Sequence, residues 1–164
     1  MSDKIVVADT GPLIALGVLD LLPVLPQLFT GVFVPPAVMS EAIKNLSKPG
    51  AQAIKHAIDS DIIVMHEVNL TGVFVQLAEL LDQGESEAIA LALHLDGIAL
   101  IDERKGRKAA QKHGVKQTGT AAILIQAKNK KLISAVKPMM DKLAEHGYRM
   151  SSSLVQLVLD KSGE

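Results

Sequence analysis

Short runs of three to five residues with strand character alternate with helical segments along the whole chain, and this alternation limits the fold more than any other feature. An apolar run such as Ile5–Ala8 is typical of a parallel strand buried between helices. Repeated strand–helix units imply a mostly parallel sheet of about five strands with helices on both faces, which is an α/β architecture. The predicted strands are Lys4–Ala8, Val32–Val34, Ile62–Met65, Ile98–Ile101 and Val115–Gln117.

Prolines and glycines mark several ends of the predicted helices. Pro12 and the pair Pro35-Pro36 can stand in first turns, where a missing backbone N–H costs nothing, and Gly114 can close a helix in the left-handed conformation. No repeat or linker divides the chain, so we predict one domain over residues 1–164. The predicted helices are 12–19, 36–45, 51–58, 73–81, 85–95, 103–113, 121–129, 134–146 and 151–160.

Composition excludes several classes of function. The chain has no cysteine, which rules out disulfides, zinc–thiolate sites and thiol catalysis. Aromatic residues are only 2% of the sequence, so RNA recognition by stacked aromatic side chains is poorly supported. The apolar stretch from Ile5 to Val34 is broken by Asp9, Asp20 and prolines and cannot be one membrane span. Without a signal-peptide pattern, we expect a cytoplasmic protein that does not enter a membrane.

The net charge of −1 hides a strong asymmetry along the chain. Residues 1–103 hold four basic and fourteen acidic residues, whereas residues 104–149 hold twelve basic and two acidic ones. Such segregation favours a polyanion as partner, although solvated basic helix faces would give the same pattern. The basic segment starts with the residues that we predict to contact RNA phosphates: Arg104, Lys105, Arg107 and Lys108.

Acidic residues recur where the predicted strands end. Ligands of open parallel sheets collect at the carboxyl ends of the strands. Asp9 follows the first strand, and Asp102 and Glu103 follow the fourth. Acids also occur in the helix after the second strand and in the helix before the fourth: Glu41, Glu85 and Glu87.

Each of these acids also has a purely structural explanation. Asp9 and Asp102 could cap helices, and Glu85 and Glu87 could complement the positive end of a helix. If the acids converge, however, their charges repel one another unless a cation is present. Oxygen ligands without His or Cys favour Mg²⁺ or Mn²⁺, which can activate water and neutralise charge on a phosphate.

Four segments, in order and spacing, resemble the sequence blocks of PIN domains. The first is Ile5-Val-Val-Ala-Asp9-Thr10, a strand that ends in Asp followed by Thr. The others are Val34-Pro-Pro-Ala-Val-Met-Ser-Glu41, Gly84-Glu-Ser-Glu87-Ala-Ile-Ala and Leu100-Ile-Asp102-Glu-Arg-Lys. The stretch Gly119-Thr-Ala-Ala-Ile-Leu looks like a toxin-like, VapC-like subgroup. The resemblance covers nearly the whole chain and implies a three-layer α/β/α fold.

The resemblance further implies a metal-dependent endoribonuclease. By position, the acidic quartet would be Asp9, Glu41, Glu87 and Asp102, of which Asp9, Glu87 and Asp102 would bind Mg²⁺ or Mn²⁺. Glu85 competes with Glu87 as the third acid. The fourth block has Lys105 and Arg107 where many relatives have an Asn-x-x-Asp-Phe ending. The residues expected to assist are Thr10, Glu85, Glu103, Thr118 and Thr120.

The same subgroup suggests the cellular setting. Many of its members are toxins of toxin–antitoxin pairs, so the expected partners are RNA, a small antitoxin protein and a second copy of the chain. Two alternatives stay open. The chain could be a catalytically weak or inactive module that binds RNA or protein, or a nuclease that processes RNA as a housekeeping function.

Overall fold

A computed structural model describes residues 4–164. Five strands form one sheet in the order β3-β2-β1-β4-β5, and every strand pair is parallel. The predicted parallel five-stranded sheet is thus confirmed, with strand bounds that differ by one or two residues. The strands are β1 (Ile5–Ala8), β2 (Gly31–Val34), β3 (Val64–Met65), β4 (Ile98–Leu100) and β5 (Lys116–Thr118).

The helices follow the predicted pattern with three main differences, one of which is that the helix predicted over 73–81 ends at Ala78. A 3₁₀ turn at Leu22–Val24 and a short helix, α2, occupy a segment where we predicted no helix, with prolines in the first turn of each. Helix α9 begins at Lys137 rather than Ser134, because Pro138 stands in its first turn. The helices are α1 (Thr10–Val18), α2 (Leu25–Leu28), α3 (Pro36–Ile43), α4 (Ala51–Asp59), α5 (Val73–Ala78), α6 (Gln83–His94), α7 (Arg104–Lys112), α8 (Thr120–Asn129), α9 (Lys137–Glu145) and α10 (Ser152–Ser162).

Alternating strand residues divide the core into two layers of side chains. Val6 and Ala8 of β1 pack against α1, α3 and α4, whereas Val7 between them packs against α5 and α6. In β4, Leu100 and Ala99 separate in the same way. Helices therefore cover both faces of the sheet, which confirms the three-layer α/β/α fold.

A third apolar cluster joins the last three helices to α1. Leu124 of α8, Leu143 of α9 and Val158 of α10 are all buried together with residues of α1. The carboxylate of Glu164 accepts hydrogen bonds from the backbone N–H groups of Val136 (2.7 Å) and Lys137 (3.1 Å). These bonds hold the start of α9 and keep the pKa of Glu164 low, at about 2.

Helices α1 and α4 meet through a pair of glycines. A Cβ at Gly17 would lie 2.9 Å from the carbonyl oxygen of Gly50. Gly50 itself has a positive φ of 81°, a conformation in which glycine is unstrained. The close approach of the two helices therefore depends on both glycines.

No single helix within residues 4–164 has the length and apolar character needed to span a membrane. Helix α1 and the segment Leu22–Leu28 would meet those criteria together, but they are bent by 109° relative to each other.

Candidate active site

The carboxyl ends of β1 and β4 lie side by side at the centre of the sheet. Ala8 pairs with Leu100, and the backbone N–H of Asp9 donates to the carbonyl of Leu100 at 3.0 Å. From β1 the chain continues to β2 and β3 on one side, whereas β4 and β5 lie on the other side. Open α/β sheets bind ligands at such a reversal of strand order, so Asp9 and Asp102 emerge where a ligand is expected.

Asp9 is a buried acid, 8% exposed, and it makes no side-chain cap to α1. Burial raises the pKa of Asp9 to about 6, opposed by a hydrogen bond from the Thr10 backbone. The negative charges of three other acids raise the pKa further: Asp82, Glu41 and Glu103. The capping explanation thus fails for Asp9, whose surroundings are acidic.

Glu85, in the first turn of α6, shares these surroundings. It is 7% exposed, and burial raises its pKa to about 7. The charges of Asp82, Asp9 and Glu103 add to the rise in pKa, as does a hydrogen bond between Glu85 and Glu103 that favours a protonated carboxyl. The structure therefore gathers five carboxylates, here called the acidic cluster: Asp9, Glu41, Asp82, Glu85 and Glu103.

Two further members of the acidic cluster, Glu41 and Asp82, take part in hydrogen bonds that orient them. The Thr10 hydroxyl donates to Glu41 Oε2 at 3.1 Å, so Thr10 positions an acid. Asp82 caps α6 by accepting the backbone N–H of Glu85 at 2.8 Å. Asp82 is not among the acids predicted from the sequence, although Asp82-Gln-Gly-Glu85 has the spacing of a capping box and could have revealed it.

Glu87 contacts the first turn of α3 and not the acidic cluster. It is 3% exposed, and its carboxylate accepts the backbone N–H of Ala37 at 3.0 Å and the Gln83 amide at 2.8 Å. It is not among the groups that raise the pKa of Asp9 or Glu85. Glu87 thus ties the first turn of α3 to α6. Its metal-binding role stays a prediction, and the geometry favours Glu85 as the third acid.

Asp102 holds the start of α8. Its Oδ1 accepts the backbone N–H of Thr120 at 2.7 Å, and its Oδ2 accepts the Thr120 hydroxyl at 2.6 Å. Asp102 therefore caps α8 rather than α7. Thr120 contacts the acid directly, whereas Thr118 contributes its carbonyl to the ladder by accepting the N–H of Ile101 at 2.9 Å.

The predicted RNA-binding cations separate into two groups. Arg104, Lys105 and Lys108 are exposed on α7. Arg107 is half-buried, and a Cβ at Gly119 would lie 2.8 Å from Arg107 Nη1 and 3.0 Å from Asp102 Oδ1. Arg107 and Asp102 thus face the same narrow space, which Gly119 leaves open.

The acidic cluster has no cationic partner among the described residues. Residues 4–164 contain three salt bridges, and each lies elsewhere: Lys55–Asp59, Lys128–Glu164 and Lys137–Asp141. Two buried carboxylates with raised pKa values and oxygen-only neighbours make a donor set that suits Mg²⁺ or Mn²⁺. Nevertheless, no three acidic or histidine side chains in residues 4–164 already stand as a ready-made metal site. Binding would require carboxylates to turn toward the ion.

Comparison with known proteins identifies the family of the chain. A family model described as a PIN domain matches residues 5–164, nearly the whole chain. The search of curated proteins found no match. Since the family match spans both sides of the sheet and every acid of the candidate site, the chain belongs to the PIN-domain family and has a nuclease fold.

Proposed function

We propose that this protein is a metal-dependent endoribonuclease that hydrolyses RNA phosphodiesters with Mg²⁺ or Mn²⁺. The acidic cluster supports this proposal most strongly, because it gathers five carboxylates at the sheet's central edge with no salt-bridge partner among residues 4–164. Of these acids, Asp9 and Glu85 are buried, whereas Glu41, Asp82 and Glu103 are exposed. Uncompensated buried charge is destabilising, and proteins retain it at sites that bind ions or perform catalysis.

Asp9 and Glu85 are the residues that we propose to hold the ion, with Glu103 beside them. Asp102 is not among the charges that raise the pKa of Asp9 or Glu85, and its carboxylate binds Thr120, so it would have to turn to reach the ion. When bound, the ion would lower the pKa of an attacking water and offset charge on the phosphate. Glu41, which is oriented by the Thr10 hydroxyl, is a further member of the acidic cluster at this site. Glu85 replaces Glu87 as the third acid and metal ligand in this proposal, because the Glu87 carboxylate already accepts hydrogen bonds from Ala37 and Gln83.

The exposed cations of α7 would hold the RNA backbone. Arg104, Lys105 and Lys108 begin directly after the acidic edge, so phosphates bound there would lie next to the carboxylates. Phosphate contacts fix the register of a nucleic acid without reading its bases. We therefore expect RNA affinity to fall steeply as salt rises.

The decisive experiment measures cleavage of a labelled RNA with Mg²⁺, Mn²⁺ or EDTA. The proteins are wild type, Asp9→Asn, Glu85→Gln, Glu87→Gln and Asp102→Asn. We expect a loss of about 100-fold or more for Asp9→Asn and Glu85→Gln, as for removal of a key electrostatic group. Glu87→Gln should retain more activity than Glu85→Gln.

The matched control is Glu145→Gln, which removes one exposed carboxylate from α9, away from the acidic edge. It should cleave like wild type. Activity of the wild type that survives EDTA, or equal activity in Asp9→Asn and wild type, would refute the proposed mechanism.

One observation favours a second candidate, a PIN-fold module that binds RNA or protein without cleaving it. Both Asp102 oxygens already bond to Thr120, and both Glu87 oxygens are also occupied. Calorimetry with Mn²⁺ distinguishes the candidates. An inactive module should bind the ion weakly, and Asp9→Asn should leave that weak binding unchanged.

Exposed apolar side chains around α5 support a protein partner. Leu70, Val75 and Leu80 are each about half exposed or more, at 49%, 52% and 59%. We propose that this protein acts in the cytoplasm as a toxin whose antitoxin covers such a surface, or that it forms a homodimer. Growth arrest on expression, relieved by a small protein encoded beside it, supports the toxin. Normal growth supports a housekeeping nuclease, and light scattering gives the oligomeric state.

A further inference from the structure

A cavity of about 370 Å³ opens beside Asp102, between α8, α9 and α10. Its size is at the lower end of pockets that hold small organic ligands. Asp102, Arg107 and Tyr148 are among the residues that line it. The cavity therefore shares Asp102 with the candidate active site. We call it the Tyr148 cavity.

The walls of the Tyr148 cavity differ in chemistry. The apolar part of the lining comes from Ile125, Leu143, Met150, Leu154 and Val158. Leu157 lines the cavity too, and 49% of its surface is exposed. Such a wall suits a flat ring that has little need for hydrogen bonds on its faces.

Three cations complete the lining: Arg107, Arg149 and Lys161. Asp102 is the acid among the lining residues, and it belongs to the candidate active site. None of the three cations forms a salt bridge within residues 4–164. The cavity thus presents unneutralised positive charge around an apolar wall, which is complementary to a phosphate attached to a flat ring.

Tyr148 gives the cavity its aromatic surface. It is half-buried, its hydroxyl lies 3.5 Å from the Gly11 carbonyl of α1, and burial raises its pKa. The hydroxyl is thereby directed to the protein, and the ring remains part of the lining. Aromatic rings in nucleic-acid sites stack on bases without regard to their identity.

We propose that the Tyr148 cavity binds one nucleotide of the RNA, with its base on the apolar wall and its phosphate toward the three cations. This inference rests on the proposed ribonuclease function. It adds to that function a substrate unit next to the cleaved bond. A peptide or a second copy of the chain fits this lining less well, because three cations beside a single acid favour a phosphate.

The first experiment needs no catalysis. Nucleoside 5′-monophosphates, the matching nucleosides and inorganic phosphate are titrated into metal-free protein, and binding is followed by NMR chemical shifts. We expect the monophosphate to bind more tightly than either part alone, with shifts at Tyr148 and Leu157. If the three bind equally, or if none binds at millimolar concentration, the proposal is overturned.

Variants locate the binding. Arg149→Gln and Leu157→Glu change exposed side chains of the cavity, so their effect on folding should be small. Each should weaken monophosphate binding about tenfold, which corresponds to about 1.4 kcal/mol. Tyr148→Phe should bind normally and Tyr148→Leu weakly. The control Lys130→Gln removes an exposed cation outside the cavity and should bind like wild type.

RNA cleavage separates this proposal from the proposed function. If Leu157→Glu raises the KM for RNA and leaves kcat nearly unchanged, the cavity is a substrate subsite. If Leu157→Glu cleaves RNA with the KM of wild type, the proposed subsite is refuted and the proposed nuclease function is unaffected. A wild type that cleaves no RNA but binds monophosphate through these residues refutes the nuclease and keeps the nucleotide site. A change of oligomeric state in Leu157→Glu identifies an interface between copies and overturns the proposal.

Discussion

Two glutamates of one helix should respond in opposite ways to the same chemical change. Glu85 and Glu87 are both buried in α6, but one lies among acids and the other accepts a backbone N–H. Glu85→Gln removes a charge that its surroundings oppose. Glu87→Gln weakens hydrogen bonds to Ala37 and Gln83. We therefore expect Glu85→Gln to stabilise the metal-free protein and Glu87→Gln to destabilise it.

The pKa of Glu85 sets the magnitude. It rises from 4.5 to about 7 on folding, and each pKa unit corresponds to about 1.4 kcal/mol, so keeping Glu85 ionised costs at most about 3.5 kcal/mol. Because the neighbouring Asp82 and Glu103 are exposed, water screens part of this cost, and we expect Glu85→Gln to gain about 3 kcal/mol or less. For a domain of this size, that gain corresponds to at most about 6 to 12 °C in Tm. Loss of a charged hydrogen bond in Glu87→Gln costs about 1 to 3 kcal/mol.

The pH dependence follows from the direction of the shift. Because the folded pKa of this acid lies above the unfolded value, the contribution of Glu85 to wild-type stability falls as pH rises from about 4.5 to about 7 and is level above that. The advantage of Glu85→Gln should be absent at pH 4 and complete at pH 8. Thermal unfolding in EDTA at the two pH values measures it.

The same thermal-unfolding assay can be carried out with Mn²⁺ in place of EDTA. Mn²⁺ at about 100 times its Kd should add about 2.7 kcal/mol to the unfolding free energy of wild type. It should add much less to Glu85→Gln. If Glu85→Gln lowers Tm at pH 8, or if its gain persists at pH 4, the repulsion attributed to the acidic cluster is refuted.

Three further predictions concern packing, the last helices and proton release. Gly17→Ala should destabilise the protein by about 1 to 3 kcal/mol in urea titrations, because the added methyl meets the Gly50 carbonyl; unchanged stability would show that α1 and α4 can separate freely. Glu164→Gln should lower stability at pH 7 and lose its effect as pH falls toward 2, since the low pKa of Glu164 makes its contribution present only above that range; an equal loss at both pH values, measured by denaturant unfolding, would contradict this. Mn²⁺ binding at pH 6.5 should release protons from the two buried carboxylates, seen as a binding heat that depends on the ionisation enthalpy of the buffer, whereas buffer-independent heat would contradict their raised pKa values.

The sequence predicts the sheet well because each strand signal is local. A run such as Ile5–Ala8 has no alternative to burial on both faces, and the structure places it at the centre of the sheet. The segment Leu22–Leu28 was missed because two prolines interrupt it and neither of its turns is long enough to show helical periodicity. Its burial comes from contacts with distant residues of the first core layer.

The choice between Glu85 and Glu87 could not be made from the sequence. Residues two apart on a helix point about 200° away from each other, so either could face Asp9 while the other faces away. The rotation of α6 about its axis decides, and that rotation depends on packing against β1 and α3. The Tyr148 cavity could not be predicted from the sequence for a related reason. Its apolar residues have the pattern of ordinary core positions, and only the packing of three helices leaves space between them.

The acids of the cluster come from four separated stretches of the chain, spanning residues 9 to 103. Contacts so distant in sequence form late, because a long loop must close before they contribute to stability. While the protein is being synthesised, the N-terminal half alone carries no complete acidic edge. Under the proposed function, cleavage would therefore require β4 to have joined β1, so a partly synthesised chain would be inactive.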